Sequence, residues 1–261
     1  MNTINHQDCL SGMNTMKAES VDLIITSPPY NIGKSYEKRT SLDAYLAWQR
    51  EIIKACSRVL KTGGSIAYQV GNYVDNGKVY PLDCMLFAFF LENKLIPRNR
   101  IVWHFEHGLH CTKRLSGRHE TVLWFTKSED YTFNIDPIRV PQKYPGKKHY
   151  KGDKKGELSG HPMGKNPGDV WQISNVKNNH PEKTDHPCQF PLDIVRPLIK
   201  ALSNPDDLVL DPFMGSGTVA VAAAQLNRNY MGFELCHEYI EIANRRMGKE
   251  VFGFSEQLTM F

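Results

Sequence analysis

The sequence has no CxxC pair, no low-complexity tract, no internal repeat and no long apolar run. Its six cysteines lie far apart, at positions 9, 56, 84, 111, 188 and 236. That spacing argues against a disulfide scaffold and fits a reducing, cytoplasmic setting. The longest apolar run, Cys84 to Leu91, is too short to span a bilayer, so no membrane partner is expected. The opening MNTINHQDC lacks the basic start and apolar core of a secretion signal. Neither GxGxxG nor GxxxxGK[ST] occurs, which disfavours a P-loop ATPase. What remains is an ordinary globular balance: 261 residues, 41% apolar and 23% charged. That is enough for one α/β domain with a modest insertion.

The net charge is small, +4, but it is unevenly placed. Arg139 to Lys183 holds ten Lys or Arg against four Asp or Glu. The rest of the chain is slightly acidic. The basic segment is also rich in Gly, Pro and His. A polyanion would suit it, because phosphates attract Lys and Arg and binding releases counterions. On charge alone, a solvated loop fits equally well.

Short apolar runs at Val21–Thr26, Ser65–Val70, Arg100–Phe105, Thr121–Phe125, Leu208–Leu210 and Tyr230–Phe233 read as buried strands. Helical patterns lie between them at Asp43–Leu60, Pro81–Glu92, Leu192–Leu202, Thr218–Asn227 and His237–Met247. The first is expected to stop at Lys61-Thr62-Gly63-Gly64. Strand–helix alternation implies a mostly parallel sheet covered on both faces. Residues 134–183 break that rhythm and read as an insertion between segments 1–133 and 184–261 of one domain.

Ligands of open α/β sheets bind beyond the carboxyl ends of the strands. Two motifs occupy such ends. Val21–Thr26 runs into Ser27-Pro28-Pro29-Tyr30. Two prolines stiffen this loop and remove two N–H donors, leaving carbonyls and the Ser27 hydroxyl as acceptors beside an aromatic ring. That combination suits a flat ring bearing an exocyclic amine; a tight turn with a buried tyrosine would use the same residues. The second motif is Asp211-Pro212-Phe213-Met214-Gly215-Ser216-Gly217-Thr218, a glycine-rich turn opening a helix. Glu234 follows at the end of the next strand, where an acid can accept hydrogen bonds from both ribose hydroxyls.

Taken together these elements resemble the amino-methylating DNA methyltransferases of the permuted beta arrangement, in which a (D/S)PP(Y/F) motif precedes an FxGxG motif. Ser27-Pro28-Pro29-Tyr30 matches the first and Phe213-x-Gly215-x-Gly217 the second. Gln7-Asp8-Cys9-Leu10 resembles the family's GDCL element, with Gln in place of Gly. Leu60-Lys61-x-Gly63-Gly64, Arg118-His119-Glu120 with Phe125-Thr126-Lys127, and His186-Pro187-x-Gln189-x-Pro191 resemble further elements in the family order.

The resemblance implies a circularly permuted, Rossmann-like fold: seven strands, mostly parallel, with the antiparallel strand in the pair 100–105 and 121–125. It implies S-adenosylmethionine as methyl donor, held by Asp8, Cys9, Asp211, Phe213, Gly215, Ser216, Gly217, Thr218, Glu234 and Leu235. It implies a flipped base in double-stranded DNA as substrate. The Ser27 hydroxyl and the Pro28 carbonyl would accept hydrogen bonds from the base amine, with Pro29 stiffening the loop and Tyr30 stacking on the base. Serine at the first motif position favours N4 of cytosine, with N6 of adenine as the alternative; a non-DNA amide or amine methyltransferase and a catalytically silent DNA-binding homologue are more distant readings.

Residues 134–183 would be the target-recognition region, with Lys147, Lys148, Lys154 and Lys155 on phosphates. Lys113, Arg114 and Arg118 sit in a loop expected to touch DNA. A homodimer and a cognate restriction endonuclease are further partners that the resemblance suggests. Cys188, in a Pro-Cys-Gln context, reads as a small buried residue near the donor rather than a nucleophile. His186 reads as structural, and Trp103, Trp124 and Trp171 as packing residues. His104, His107, His110 and Cys111 lack a second spaced ligand pair, and no metal is expected.

Overall fold

A computed structural model describes residues 2–34, 37–177 and 179–253, so the last stretch of the 184–261 segment lies outside the described residues. The chain runs β1 (Thr3–His6), α1 (Cys9–Thr15), β2 (Val21–Thr26), α2 (Leu42–Val59) and β3 (Leu60–Val70). A hairpin of β4 (Asn72–Asp75) and β5 (Lys78–Pro81) leads to α3 (Leu82–Glu92), β6 (Ile96–His104) and β7 (His119–Thr126). Then come β8 (Val170–Gln172), α4 (Leu192–Leu202), β9 (Leu208–Asp211), α5 (Thr218–Gln225), β10 (Asn229–Glu234) and α6 (His237–Arg246).

The main sheet has the order β1-β10-β9-β2-β3-β7-β6-β8. Strand β7 is antiparallel to both neighbours, and all other pairings are parallel. The antiparallel strand thus falls in the expected pair. Among the described residues the sheet has eight strands rather than seven. The extra one is β8, three residues from the basic segment that pair alongside Val102–His104 of β6.

Both sheet faces are buried, which is why the central strands read as unbroken apolar runs. Ile24, Ile66, Leu123, Phe125 and Leu210 pack beneath α1, α2 and α3. Their alternates Leu23, Ile25, Ala67, Val122, Trp124 and Val209 pack beneath α4 and α5. Trp103 and Trp124 are buried, as packing residues should be.

The chain leaves β2 through α2 toward one edge of the sheet and leaves β9 through α5 toward the other. Since β2 and β9 are neighbours in register, Ile24 against Leu210, the winding reverses between them. Such a reversal opens a crevice beyond the strand ends.

Two elements have no counterpart among the sequence expectations, and one expectation differs from the structure. Strand β1 and helix α1 carry no usable sequence signal, since TINH is half polar and CLSGMNT is short. The double glycine at 63–64 does not cap α2. The helix ends at Val59, Leu60 enters β3 directly, and the glycines lie in a bulge where the β2–β3 register jumps.

Candidate active site

Two loops meet above the β2–β9 boundary. The Thr26 hydroxyl, last in β2, donates to Asp211 Oδ1 at 2.6 Å, across 185 residues of sequence. This buried bond holds the two strand tips at one height.

Ser27-Pro28-Pro29-Tyr30 is pinned from behind. The Tyr45 hydroxyl on α2 donates to the Pro29 carbonyl at 2.9 Å. Asn31 turns the chain with φ +60 and is locked by paired bonds to the Thr40 backbone. The Glu37 carboxylate accepts from the Asn31 and Ile32 amides at 2.7 Å. The loop is therefore preorganised, with Ser27 on the crevice wall. The Tyr30 hydroxyl lies 3.2 Å from Ser27 Oγ, 2.8 Å from Gln69 Oε1 and 3.2 Å from Glu120 Oε2.

The glycine-rich turn sits opposite. Gly215 has φ +48, and a Cβ there would lie 3.0 Å from His186 Nε2. Its amide donates to Glu234 Oε2 at 2.8 Å. Glu234 Oε1 accepts from the Leu235 and Cys236 amides, both at 2.9 Å. Three backbone donors thus fix this carboxylate while leaving acceptor capacity for two hydroxyls. Pairing of β1 with β10 brings His6 beside Glu234 and delivers Asp8 to the same corner. Asp8 also caps α1, accepting from the Ser11 amide at 2.9 Å.

Both loops line one cavity of about 570 Å³, within the ordinary range for small-molecule sites. Of the residues the sequence singles out, Asp8, Cys9, Ser27, Pro28, Pro29, Tyr30, Phe213, Gly215, Ser216, Thr218, Glu234 and Leu235 face it. Asp211 and Gly217 do not: they hold the turn from behind. Asp211 Oδ1 accepts from the Thr26 hydroxyl and the Phe213 amide. Gly217 takes a left-handed φ of +79 to start α5 where Ala243 leaves no room for a side chain. Ser216 and Thr218 are partly committed as well, since the buried Arg246 donates to the Ser216 carbonyl and the Thr218 hydroxyl. Cys188 is exposed at the cavity rim rather than buried; Gln189 is the buried neighbour.

The cavity adds residues that sequence patterns do not nominate, Glu37, Tyr45, Trp48, Gln69 and Tyr239, and it brings in Glu120, which the sequence marks only as part of a family-like element with no role assigned. Trp48 meets Phe213 edge-on, ring centroids 5.5 Å apart. It lies on the apolar stripe of α2, so nothing in its spacing distinguishes it from core.

Burial shapes the electrostatics. It pushes the Cys9 thiol up to about 12, so this cysteine stays protonated. Desolvation, reinforced by Lys183 and Arg246, pulls His186 down to about 4, so its ring is neutral at physiological pH. Asp211 Oδ2 is buried without a hydrogen-bond partner among the described residues, and burial lifts this carboxyl from 3.8 to about 7.

A stability prediction follows from Asp211. Between about pH 4 and about 7 the folded state keeps a proton that the unfolded chain has released. This group's contribution therefore falls as pH rises through that window, by at most about 1.4 kcal/mol per pH unit, and is flat above it. Asp211→Asn should remove that slope in thermal denaturation followed from pH 4 to 8. Identical slopes in variant and wild type would contradict the assignment.

The candidate DNA-contacting residues lie apart from the cavity wall. Lys113 and Arg114 are exposed in the β6–β7 loop. Arg118 instead braces that loop by donating to the Leu109 and Gly117 carbonyls. Lys147, Lys148, Lys154 and Lys155 are all exposed in the basic segment. No helix of the described residues is long and apolar enough to cross a membrane.

A loop held by the Tyr45–Pro29 bond and a glycine-rich turn that fixes the Glu234 carboxylate thus share one cavity. A family model described as DNA methylase, of the N6/N4 type, matches residues 21–245. The Type II methyltransferase M.BglII of Bacillus subtilis is 53% identical over 251 residues, covering 96% of this chain and 70% of that protein. The DNA adenine methyltransferase YhdJ of Escherichia coli (strain K12) is 35% identical over 262 residues, covering 98% and 86%. Among solved structures, the PvuII DNA methyltransferase (cytosine-N4-specific) superposes with a TM-score of 0.74 at 22% identity, over 94% of this chain and 86% of that one. The chain belongs to the N6/N4 DNA methylase family; it is a DNA amino-methyltransferase with the mixed α/β methyltransferase fold.

Proposed function

We propose that this protein transfers the methyl group of S-adenosylmethionine to N4 of a cytosine flipped out of double-stranded DNA. The observation that carries this reading is the junction of β2 and β9. It sets a rigid amine-acceptor loop and a nucleoside-binding turn on one cavity.

The residues fit the donor. Glu234 offers a fixed carboxylate for ribose hydroxyls, and Gly215 leaves room for close backbone approach. Asp8 and the Phe213 ring border the same corner. When bound, the donor supplies an electrophilic methyl on a cationic sulfur. A neutral His186 beside Gly215 adds no charge to repel that cation.

On the acceptor side, an exocyclic amine conjugated to its ring is a poor nucleophile. Hydrogen bonds from it to Ser27 Oγ and the Pro28 carbonyl would draw the nitrogen toward tetrahedral geometry and expose its lone pair. Positioning and electrostatics carry most of the rate enhancement. A neutral serine in place of a carboxylate supports cytosine as the base. The 35% identity with an adenine methyltransferase favours N6 of adenine as the second reading.

Nucleoside mass spectrometry of DNA incubated with enzyme and donor tests both. N4-methylcytosine is the expected product. N6-methyladenine would establish the second reading, and 5-methylcytosine or no product would overturn the chemistry altogether.

Segment 134–183 is the proposed target-recognition region, and the 53% identical Type II methyltransferase supports a restriction-modification setting. Replacing Lys147, Lys148, Lys154 and Lys155 together with Ala should weaken DNA binding. The slope of log K against log salt should become shallower by about 0.9 for each phosphate no longer neutralised. An unchanged slope in fluorescence anisotropy would show that the segment is not the clamp.

A further inference from the structure

Glu120 occupies an unusual position. It stands near the start of β7 opposite Trp103 of β6, and its carboxylate reaches the cavity wall behind the acceptor loop. Two groups hold it there. The Gln69 side-chain amide donates to Oε2, and the Tyr30 hydroxyl lies 3.2 Å from the same oxygen. No lysine, arginine or histidine pairs with it among the described residues. Gly71 makes the approach possible: a Cβ there would lie 3.0 Å from the Tyr30 ring and 3.3 Å from the Glu120 carboxyl carbon. A half-buried carboxylate with no cation beside it contributes little to stability. Its place against Tyr30 and one step from Ser27 calls for another explanation.

Amine methylation supplies one. As the N–CH₃ bond forms and the donor's C–S bond breaks, leaving its electron pair on sulfur, positive charge builds on the nitrogen, which carries one proton too many and must shed it as transfer proceeds. The Pro28 carbonyl is a poor proton acceptor, and the nearest carboxylate along the chain of hydroxyls is Glu120.

We propose that Ser27, Tyr30 and Glu120 form a proton relay that carries the surplus amine proton out of the base pocket, with Glu120 as its terminus and Gln69 holding that terminus in place. This rests on the methyl-transfer reading given above. The N–H bond breaks as its proton moves to Ser27 Oγ. The hydroxyl proton of Ser27 passes 3.2 Å to the Tyr30 oxygen, and the Tyr30 proton passes 3.2 Å to Glu120 Oε2. Ser27 and Tyr30 each gain one proton and lose one, so both are restored, and the carboxyl later releases its proton to water. Gln69 Oε1 competes for the Tyr30 proton at 2.8 Å in the resting arrangement. It cannot keep a proton, so the carboxylate is the sink. Burial lifts both the Tyr30 hydroxyl and the Glu120 carboxyl above their usual ranges. The first therefore acts as a shuttle rather than an anion, and the second is a better base than an exposed glutamate.

Tyr30 is the titratable group that touches Glu120. Gln69 and Trp103, from the two flanking strands, are neutral, and His104 and His119 form the next cross-strand pair. The charged groups elsewhere on the cavity wall are Asp8, Glu37, Lys38 and Glu234.

The test measures single-turnover methyl transfer against pH, with excess enzyme and tritiated donor on plasmid DNA from a methylation-deficient host. The wild-type rate should rise with pH through one ionisation and then level off. Glu120→Gln should slow transfer by about 10²-fold and abolish that ionisation. Tyr30→Phe keeps the ring but cuts the relay, and should do the same without depending on how well the Glu120 variant folds. Glu120→Asp should restore the ionisation at reduced rate. A second readout needs no donor: carboxyl ¹³C NMR of the free protein should show one glutamate with a raised midpoint, absent in Glu120→Gln. If Tyr30→Phe and Glu120→Gln both keep the wild-type rate and pH profile, the relay is wrong. A wild-type enzyme that methylates no DNA defeats the underlying reading instead, a result distinct from the relay's failure.

Discussion

Ser27→Ala should lower kcat by about 10²–10³-fold while leaving donor affinity within about twofold of wild type. The size follows from removing one preorganised hydrogen-bond partner of the reacting group in an enclosed site. The split follows from geometry. Ser27 stands on the acceptor loop at the end of β2, whereas Gly215, Glu234 and Asp8 stand on the far side of the cavity. The loop should survive the change, because its shape is set by two prolines, the Tyr45–Pro29 bond and the Asn31 lock. A loss in kcat without a change in donor binding marks an interaction made in the transition state. Rapid-quench kinetics paired with calorimetric donor titration reads both quantities. Undiminished turnover would remove Ser27 from the chemistry.

Gly215→Val should have the opposite signature: donor affinity lowered by at least about 100-fold, roughly 2.7 kcal/mol. Two separate causes act here. Gly215 holds φ +48, which a β-branched residue adopts only with strain. Its Cβ would also lie 3.0 Å from the His186 ring. That ring packs edge-on against Tyr239, centroids 4.4 Å apart, so it cannot retreat freely. Displacing the turn would also cost the Gly215–Glu234 bond that aims the carboxylate. DNA binding through the basic segment should persist, since Lys147, Lys148, Lys154 and Lys155 lie outside the cavity wall. Calorimetry that finds donor bound as tightly as in wild type would refute the role given to this turn.

Much of this site is legible in the sequence, and what is not has physical reasons. Val21–Thr26 and Leu208–Leu210 stand out because strands buried on both faces become continuous apolar runs. The motifs that follow them are local, and so can be read locally. The pairing of those two strands spans 185 residues and is visible only in the fold. Strand β1 is half polar because it is an edge strand pairing with β10 alone, so its pattern resembles loop. Helix α1 has seven residues, one of them Gly12 pressed against Phe233. Asp211 follows an apolar strand in a ligand-binding motif, so it reads as a ligand contact. Only the structure shows its carboxylate turned inward to Thr26. Glu120 lies in plain view within a family-like element. Its character comes from Gln69 on one strand and Tyr30 on a loop 90 residues earlier, neither of which sequence spacing can reveal.

The most direct test of the shared cavity is a crystal structure with a non-transferable donor analogue and a duplex containing the target site. The analogue should lie against Gly215 and Glu234 and an extruded base against Tyr30. The base amine should then stand about 3–3.5 Å from the position of the transferable methyl carbon. A base still stacked in the duplex, or an analogue bound away from the β2–β9 junction, would contradict the account.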